Sequence, residues 1–185
     1  MGNFIGTDAS GAAALPNRSE GITIAPSGDI VIGGEGIFEG NLISGNGNPG
    51  SGNPGAGINI SPRPFDGTFA GTFDVTIKGS KIGTNYDGNA DLGNADDGIF
   101  VSEFNNGGGD VVNLNLTVGG ANLAARNIIS GNEENGIDIR CSNAAINGNY
   151  IGTNAAGNAA IGNGIAGSFF SDYGILIQVQ GGANY

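Results

Sequence analysis

The chain is predicted to be all-β, a solenoid of short strands stacked in repeated coils, and three features of the sequence predict this. The pattern Ile-Gly-Thr-[Asp/Asn]-x-x-Gly-x-Ala-x-[Leu/Ile]-x-Asn begins without internal gaps at Ile5, Ile82 and Ile151, and self-similarity of this kind marks a repeat architecture. A second pattern, Gly-Ile-x-Ile or a close variant, starts at Gly21, Gly57, Gly98, Gly136 and Gly174, in steps of 36, 41, 38 and 38 residues. Finally, the 38 glycines keep register with Ile, Val and Leu, so they read as corners between strands rather than as a disordered composition.

Each step reads as one three-sided coil. On the first side the pairs Ile22/Ile24, Ile58/Ile60, Ile99/Val101, Ile137/Ile139 and Ile175/Ile177 point inward, because alternate residues of a strand face opposite ways. The residues between them, Thr23, Asn59, Phe100, Asp138 and Leu176, face outward. The second side is less regular, with Ile30 and Ile32, Val75 and Ile77, Leu116 and Val118, Ile146, and Val179. The third side aligns in five rows as Phe4-Ile5-Gly6-Thr7, Leu42-Ile43-Ser44-Gly45, Lys81-Ile82-Gly83-Thr84, Ile128-Ile129-Ser130-Gly131 and Tyr150-Ile151-Gly152-Thr153.

Stacked rows place Ile on Ile, and β-branched side chains repeat well in such columns. Asn46, Asn85, Asn132 and Asn154, with Asp8 in the first row, follow the third side, and Asn3, Asn41, Asn127 and Asn149, with Ser80 once, precede it. Both sets read as polar ladders at corners, since Asn tolerates turn backbone and its amide bonds along a stack. Rows ending in Thr open a long loop, and those ending in Ser-Gly-Asn do not. The result is a two-coil period of 77 and then 69 residues. Leu15, Leu92 and Ile161 share one position in the long loops, so each loop is expected to fold back over the flank.

These elements, "NFIGTDASGAAALPN", "NLISGN", "RNIISGNEENGIDI" and "NGNYIGTNAAGNAAIGN", resemble the right-handed parallel β-helix repeats of bacterial surface and secreted proteins, within the pectate-lyase-like solenoid superfamily. The resemblance covers nearly the whole chain, which reads as one domain, residues 1–185, of about five coils with uncapped ends. It does not fix an activity, because this scaffold carries polysaccharide-degrading enzymes, tailspikes, adhesins and passive stalks.

Charge and composition narrow the classes. Six Lys plus Arg against seventeen Asp plus Glu give a net charge of −11, which opposes a nucleic-acid partner. No apolar window reaches the ~18 residues of a membrane span, so membrane insertion is not expected. Low Lys with abundant Gly and Asn resembles extracellular or cell-surface proteins. The single cysteine, Cys141, excludes an internal disulfide framework, and without any His to activate it, it reads as a packed thiol rather than a nucleophile.

Against an enzyme, the polygalacturonase-like members of the superfamily use a His-bearing motif, and this chain has no His. Asp96-Asp97 resembles a catalytic carboxylate pair, but it precedes the Gly98 corner in the position of Glu20, Asn135 and Asp172, where a polar cap suffices. Lyase-like members need calcium and a base, whereas Arg18, Arg63, Lys78, Lys81, Arg126 and Arg140 appear scattered over different sides. Calcium at Asn85 to Asn89 with Asp91 is chemically reasonable, yet the loop from Asn154 to Asn163 has no carboxylate. No cofactor is expected. An ice-binding array is disfavoured because Thr7, Thr84 and Thr153 recur only in alternate rows.

The expected function is structural and non-enzymatic: a stalk, an adhesin segment or a filament subunit. Self-association head to tail would use Phe4, Ile5, Thr7, Ile175, Ile177, Val179 and Tyr185, with the ends of the chain complementary. The alternative is a carbohydrate-binding or carbohydrate-cleaving module using Phe100, Asp138 and Tyr150 as a polysaccharide face. Aromatics in the insertions (Phe65, Phe69, Phe73, Phe104, Phe169, Phe170 and Tyr173) are expected to seal those segments onto the solenoid.

Overall fold

The structure, a computed structural model, describes residues 2–25, 28–48, 55–61, 71–102, 112–140, 143–165 and 172–178. The expectations at Arg63, Phe65, Phe69, Phe104, Cys141, Phe169, Phe170, Val179 and Tyr185 concern residues outside these ranges.

The chain is a three-sided parallel β-helix. The first side is built from β2 (Ile22–Ile24), β5 (Ile58–Ile60), β8 (Ile99–Val101), β11 (Ile137–Ile139) and β14 (Ile175–Ile177), paired in that order. The second side stacks β3 (Ile30–Gly33), β6 (Gly71–Lys78), β9 (Val112–Gly119) and β12 (Asn143–Asn147), and the third stacks β1 (Phe4–Ile5), β4 (Leu42–Ile43), β7 (Lys81–Ile82), β10 (Ile128–Ile129) and β13 (Tyr150–Ile151). All strand pairs are parallel, and the registers superimpose the expected columns. Ile22, Ile58, Ile99, Ile137 and Ile175 form one, and Ile5, Ile43, Ile82, Ile129 and Ile151 another.

These columns are the core. Ile43, Ile58, Ile60, Val75, Ile77, Ile82, Ile99, Val101, Val118, Ile129, Ile137 and Ile139 are fully enclosed, each worth roughly 1.5–3 kcal/mol of transfer free energy. On the second side Ala144 pairs with Leu116, so the aliphatic column shrinks to a methyl in the last described row.

The long loops show why the third side alternates. Each loop closes on itself through an antiparallel bridge, Thr7 with Ala14, Thr84 with Asp91 and Thr153 with Ala160. The backbone N–H of Leu15, Leu92 and Ile161 donates to the carbonyl of Gly6, Gly83 and Gly152 respectively. The shared position therefore anchors through its backbone; the Leu15 side chain is mostly exposed. The loops lie over the outer face of the third side. Gly11, at φ +67°, sits so close that an added Cβ would come within 2.7 Å of Leu42 Cδ2 and of Tyr86 Cβ. Gly88 meets Ile128 and Lys81 in the same way, and Gly157 meets the Tyr150 ring.

Successive loops also bond directly to one another: Tyr86 N–H donates to Gly11 O at 2.9 Å, and Ala155 N–H to Gly88 O at 2.7 Å. Each loop thus fills the height of two storeys, about 9–10 Å at the usual interstrand spacing, and the loopless row between them makes that room.

Ile82→Ala, in the middle of its column, is expected to lower the unfolding free energy by about 2–5 kcal/mol in urea titration. The same change at Ile177, on the last first-side strand and 58% exposed, should cost a small fraction of that.

Candidate functional site: the stacking faces and the acidic corner

Two kinds of surface stand out, the terminal rows and one corner rich in carboxylates. At the terminal row Ile175 and Ile177 are 40% and 58% exposed, whereas Ile137 and Ile139, one row inward in the same columns, are fully buried. Ile5, Ile22 and Ile30 are likewise only partly covered at the opposite end. Phe4 does not belong to this face. It points outward, and its ring lies 5.3 Å from that of Tyr86. Thr7 belongs to the loop, where its hydroxyl donates to Asp8 O.

The polar ladders give these faces a direction. One runs through Asn17, Asn46, Asn94, Asn132 and Asn163. Nδ2 of each donates to Oδ1 of the next, at 2.8 Å, 2.9 Å, 2.8 Å and 2.9 Å. Asn46, Asn94 and Asn132 spend their second Nδ2 hydrogen on the carbonyls of Ile5, Ile43 and Ile82. Asn163 donates to Ile129 O and, among the described residues, to no following Asn. The other ladder passes Asn3, Asn41, Ser80, Asn127 and Asn149 with the same sense, and Asn149 Nδ2 ends on Val118 O.

The ladder assignment from sequence is therefore corrected in part. Asn46 and Asn132 are rungs, but in the long-loop rows the rung is the last Asn of the motif (Asn17, Asn94 or Asn163). Asp8, Asn85 and Asn154 instead cap their own loops. Oδ1 of each accepts from the fourth and fifth backbone N–H onward. The loop insertion displaces the rung along the chain while leaving it in place in space. In the second loop Asn85 Oδ1 accepts from the backbone N–H of Asn89 and Ala90, and Asp91 Oδ1 accepts from Gly93 N–H.

The acidic corner precedes the first side. Asp97 is buried and accepts from the backbone N–H and Nδ2 of Asn135 at 2.8 Å and 2.9 Å, and Asn135 Oδ1 accepts from Tyr173 N–H. The column thus continues through Tyr173, and the expected place of Asp172 in it is off by one residue. Asp96, Asp97 and Glu134 bring one carboxylate oxygen each within 4.8 Å of one another, a geometry that can hold a divalent cation.

Burial, with the nearby charge of Asp96, pushes Asp97 up to about 7. Burial likewise raises Asp96 and Glu134, each further raised by acidic neighbours that include Asp138. Asp138 was expected to face solvent, but it is buried. Its Oδ2 accepts from Arg140 at 2.9 Å, and its Oδ1 has no hydrogen-bond partner among the described residues.

The expected ligand face does not assemble. Phe100 and Asp138 are register neighbours on the first side, with the Arg140 guanidinium 5.1 Å from the Phe100 ring. Tyr150 lies on the third side beneath Arg126, 3.9 Å away.

The cations are less scattered than the sequence implied. Lys81 and Arg126 border one groove of about 630 Å³ together with Phe4, Phe38, Tyr86 and Leu123. Lys81 sits 5.2 Å from the Tyr86 ring, and neighbouring Lys78 pairs with Glu35 at 3.2 Å. Burial lowers the Lys81 ammonium, partly offset by Asp87. Only the stacked third side reveals this cluster, since its members come from four different rows.

No family model, curated protein or solved structure matches the chain.

Asp97 gives a pH-dependent test. Between 3.8 and about 7 the unfolded chain has released this proton and the folded chain retains it. Stability therefore falls as pH rises through that window, and the loss is complete above it. Asp97→Asn keeps Oδ1 for Asn135 and removes the charge. Urea unfolding should show the variant more stable at about pH 8, with a ceiling of roughly 4 kcal/mol, and the gain should vanish near pH 4.

Proposed function

We propose that this chain is a non-enzymatic structural segment of an extracellular or cell-surface solenoid, a rod whose terminal rows carry further rows. The supporting observation is the contrast along a single column, where Ile137 is fully buried and Ile175 is 40% exposed. An inward-facing aliphatic left open at a row edge is a surface suited to another strand in parallel register. The ladders support the same reading, with Nδ2 donors at the C-terminal face and Oδ1 acceptors at the other. The likeness of the repeats to bacterial surface β-helices, together with the acidic, Lys-poor composition, supports the location.

In a solenoid, stability is the sum of each coil's own term and its coupling to neighbours. A tandem of two copies separated by one added loopless coil, the sequence of residues 120–148, should melt in one transition above that of the single copy. Two copies melting independently at the single-copy temperature would overturn the reading. Incubation with acidic polysaccharide, with and without calcium, should release no unsaturated product, and its appearance would favour a lyase instead.

A further inference from the structure

The third side is built from two kinds of row in strict alternation. Rows one, three and five carry the long loop and have Gly6, Gly83 and Gly152 after the inward Ile. Rows two and four are loopless and have Ser44 and Ser130 there. The described rows begin and end on the long kind.

Two independent features make the kinds non-interchangeable. The first is height. Loops of alternate rows are already in direct hydrogen-bond contact, Gly11 O with Tyr86 N–H and Gly88 O with Ala155 N–H. Two long rows at adjacent storeys would have half that separation, and the loops would overlap.

The second feature is the serine. Ser44 Oγ donates to Thr84 O at 2.8 Å and accepts from Gly83 N–H at 3.0 Å. Ser130 Oγ donates to Thr153 O at 2.8 Å and accepts from Thr153 N–H at 3.0 Å. A loopless row thus supplies a hydroxyl to the long row stacked on its C-terminal side, and a long row has only glycine at that place. Thr7 in the first row has no such serine among the described residues.

We propose that both terminal faces of this rod are shaped for a loopless row of the type Asn-[Leu/Ile]-Ile-Ser-Gly-Asn, and that the direct head-to-tail joint of two copies is excluded. This rests on the reading of the terminal rows as stacking surfaces, and it stands in place of the expectation that the two ends of the chain complement each other. In that joint β1 of one copy would lie on β13 of the other, long row on long row, with Gly152 where serine is required. The partner is a solenoid coil of the loopless kind, presenting an Asn Oδ1 to Asn163 at the C-terminal face or a Ser Oγ to Thr7 at the N-terminal face.

The test converts the first row to the loopless kind by Gly6→Ser and Thr7→Gly with residues 8–16 deleted, so that Asn17 follows directly as the rung. The C-terminal long row of one molecule then meets a loopless first row on the next. Sedimentation velocity over a concentration series and negative-stain microscopy should show the natural chain monomeric throughout, and the variant forming rods that lengthen with concentration. Rods from the natural chain overturn the proposal and leave the stacking reading intact. A folded variant that stays monomeric also overturns it, and the stacking reading falls as well only if the spaced tandem melts like a single copy. If the deletion prevents folding, the six-coil chain with residues 120–148 appended after Tyr185 replaces it and is expected to form the same rods.

Discussion

Parallel strand pairing at one fixed vertical spacing is the constraint to which the rest of this molecule answers. A row has to deliver its aliphatic side chains, its backbone donors and its corner amide at the height where the next row waits for them. The identical columns of isoleucine are one consequence, and the Asn rungs are another. A buried corner amide is tolerable only if its carboxamide is satisfied above and below, and the ladder achieves this by repeating one residue in one orientation. The glycines beside the rungs follow from the same closeness. A Cβ at Gly83 would lie 2.4 Å from Asn132 Oδ1 and from Ser130 O, whereas Gly152, with no row beyond it among the described residues, has nothing within 4 Å.

Much of this architecture was legible because the periodicity is backbone-deep. The Gly-Ile-x-Ile steps gave the five first-side strands, and the alignment of Ile5, Ile43, Ile82, Ile129 and Ile151 gave the third. What escaped was whatever depended on loop geometry. Asn85 and Asn46 look equivalent by distance from the preceding Ile, yet the former caps a loop and Asn94 takes the rung, since the loop closes through the Thr84–Asp91 bridge and returns the chain to the corner nine residues later. Proximity across rows was equally hidden. Lys81 and Arg126 are 45 positions apart, and only the stacked third side and the loops that lie over it put them on one groove.

The acidic corner shows where the solenoid accepts a cost. Asp97 occupies a position that Asn135 fills without charge one row later, and its two hydrogen bonds do not offset the desolvation of the carboxylate. Asp96, Glu134 and Asp138 add like charges around it, and among the described residues only Arg140 answers them, through Asp138. Among the described residues, the corner is therefore the place where proton concentration acts most directly on the folded state.

The two-storey height of the loops has a bearing on how such a chain changes over generations. Loss of a single loopless coil from between two looped ones would bring their loops to adjacent storeys, where they overlap, so a tolerated deletion there takes a looped coil with it. The loops, not the strands, thereby set which coils this kind of protein can lose singly.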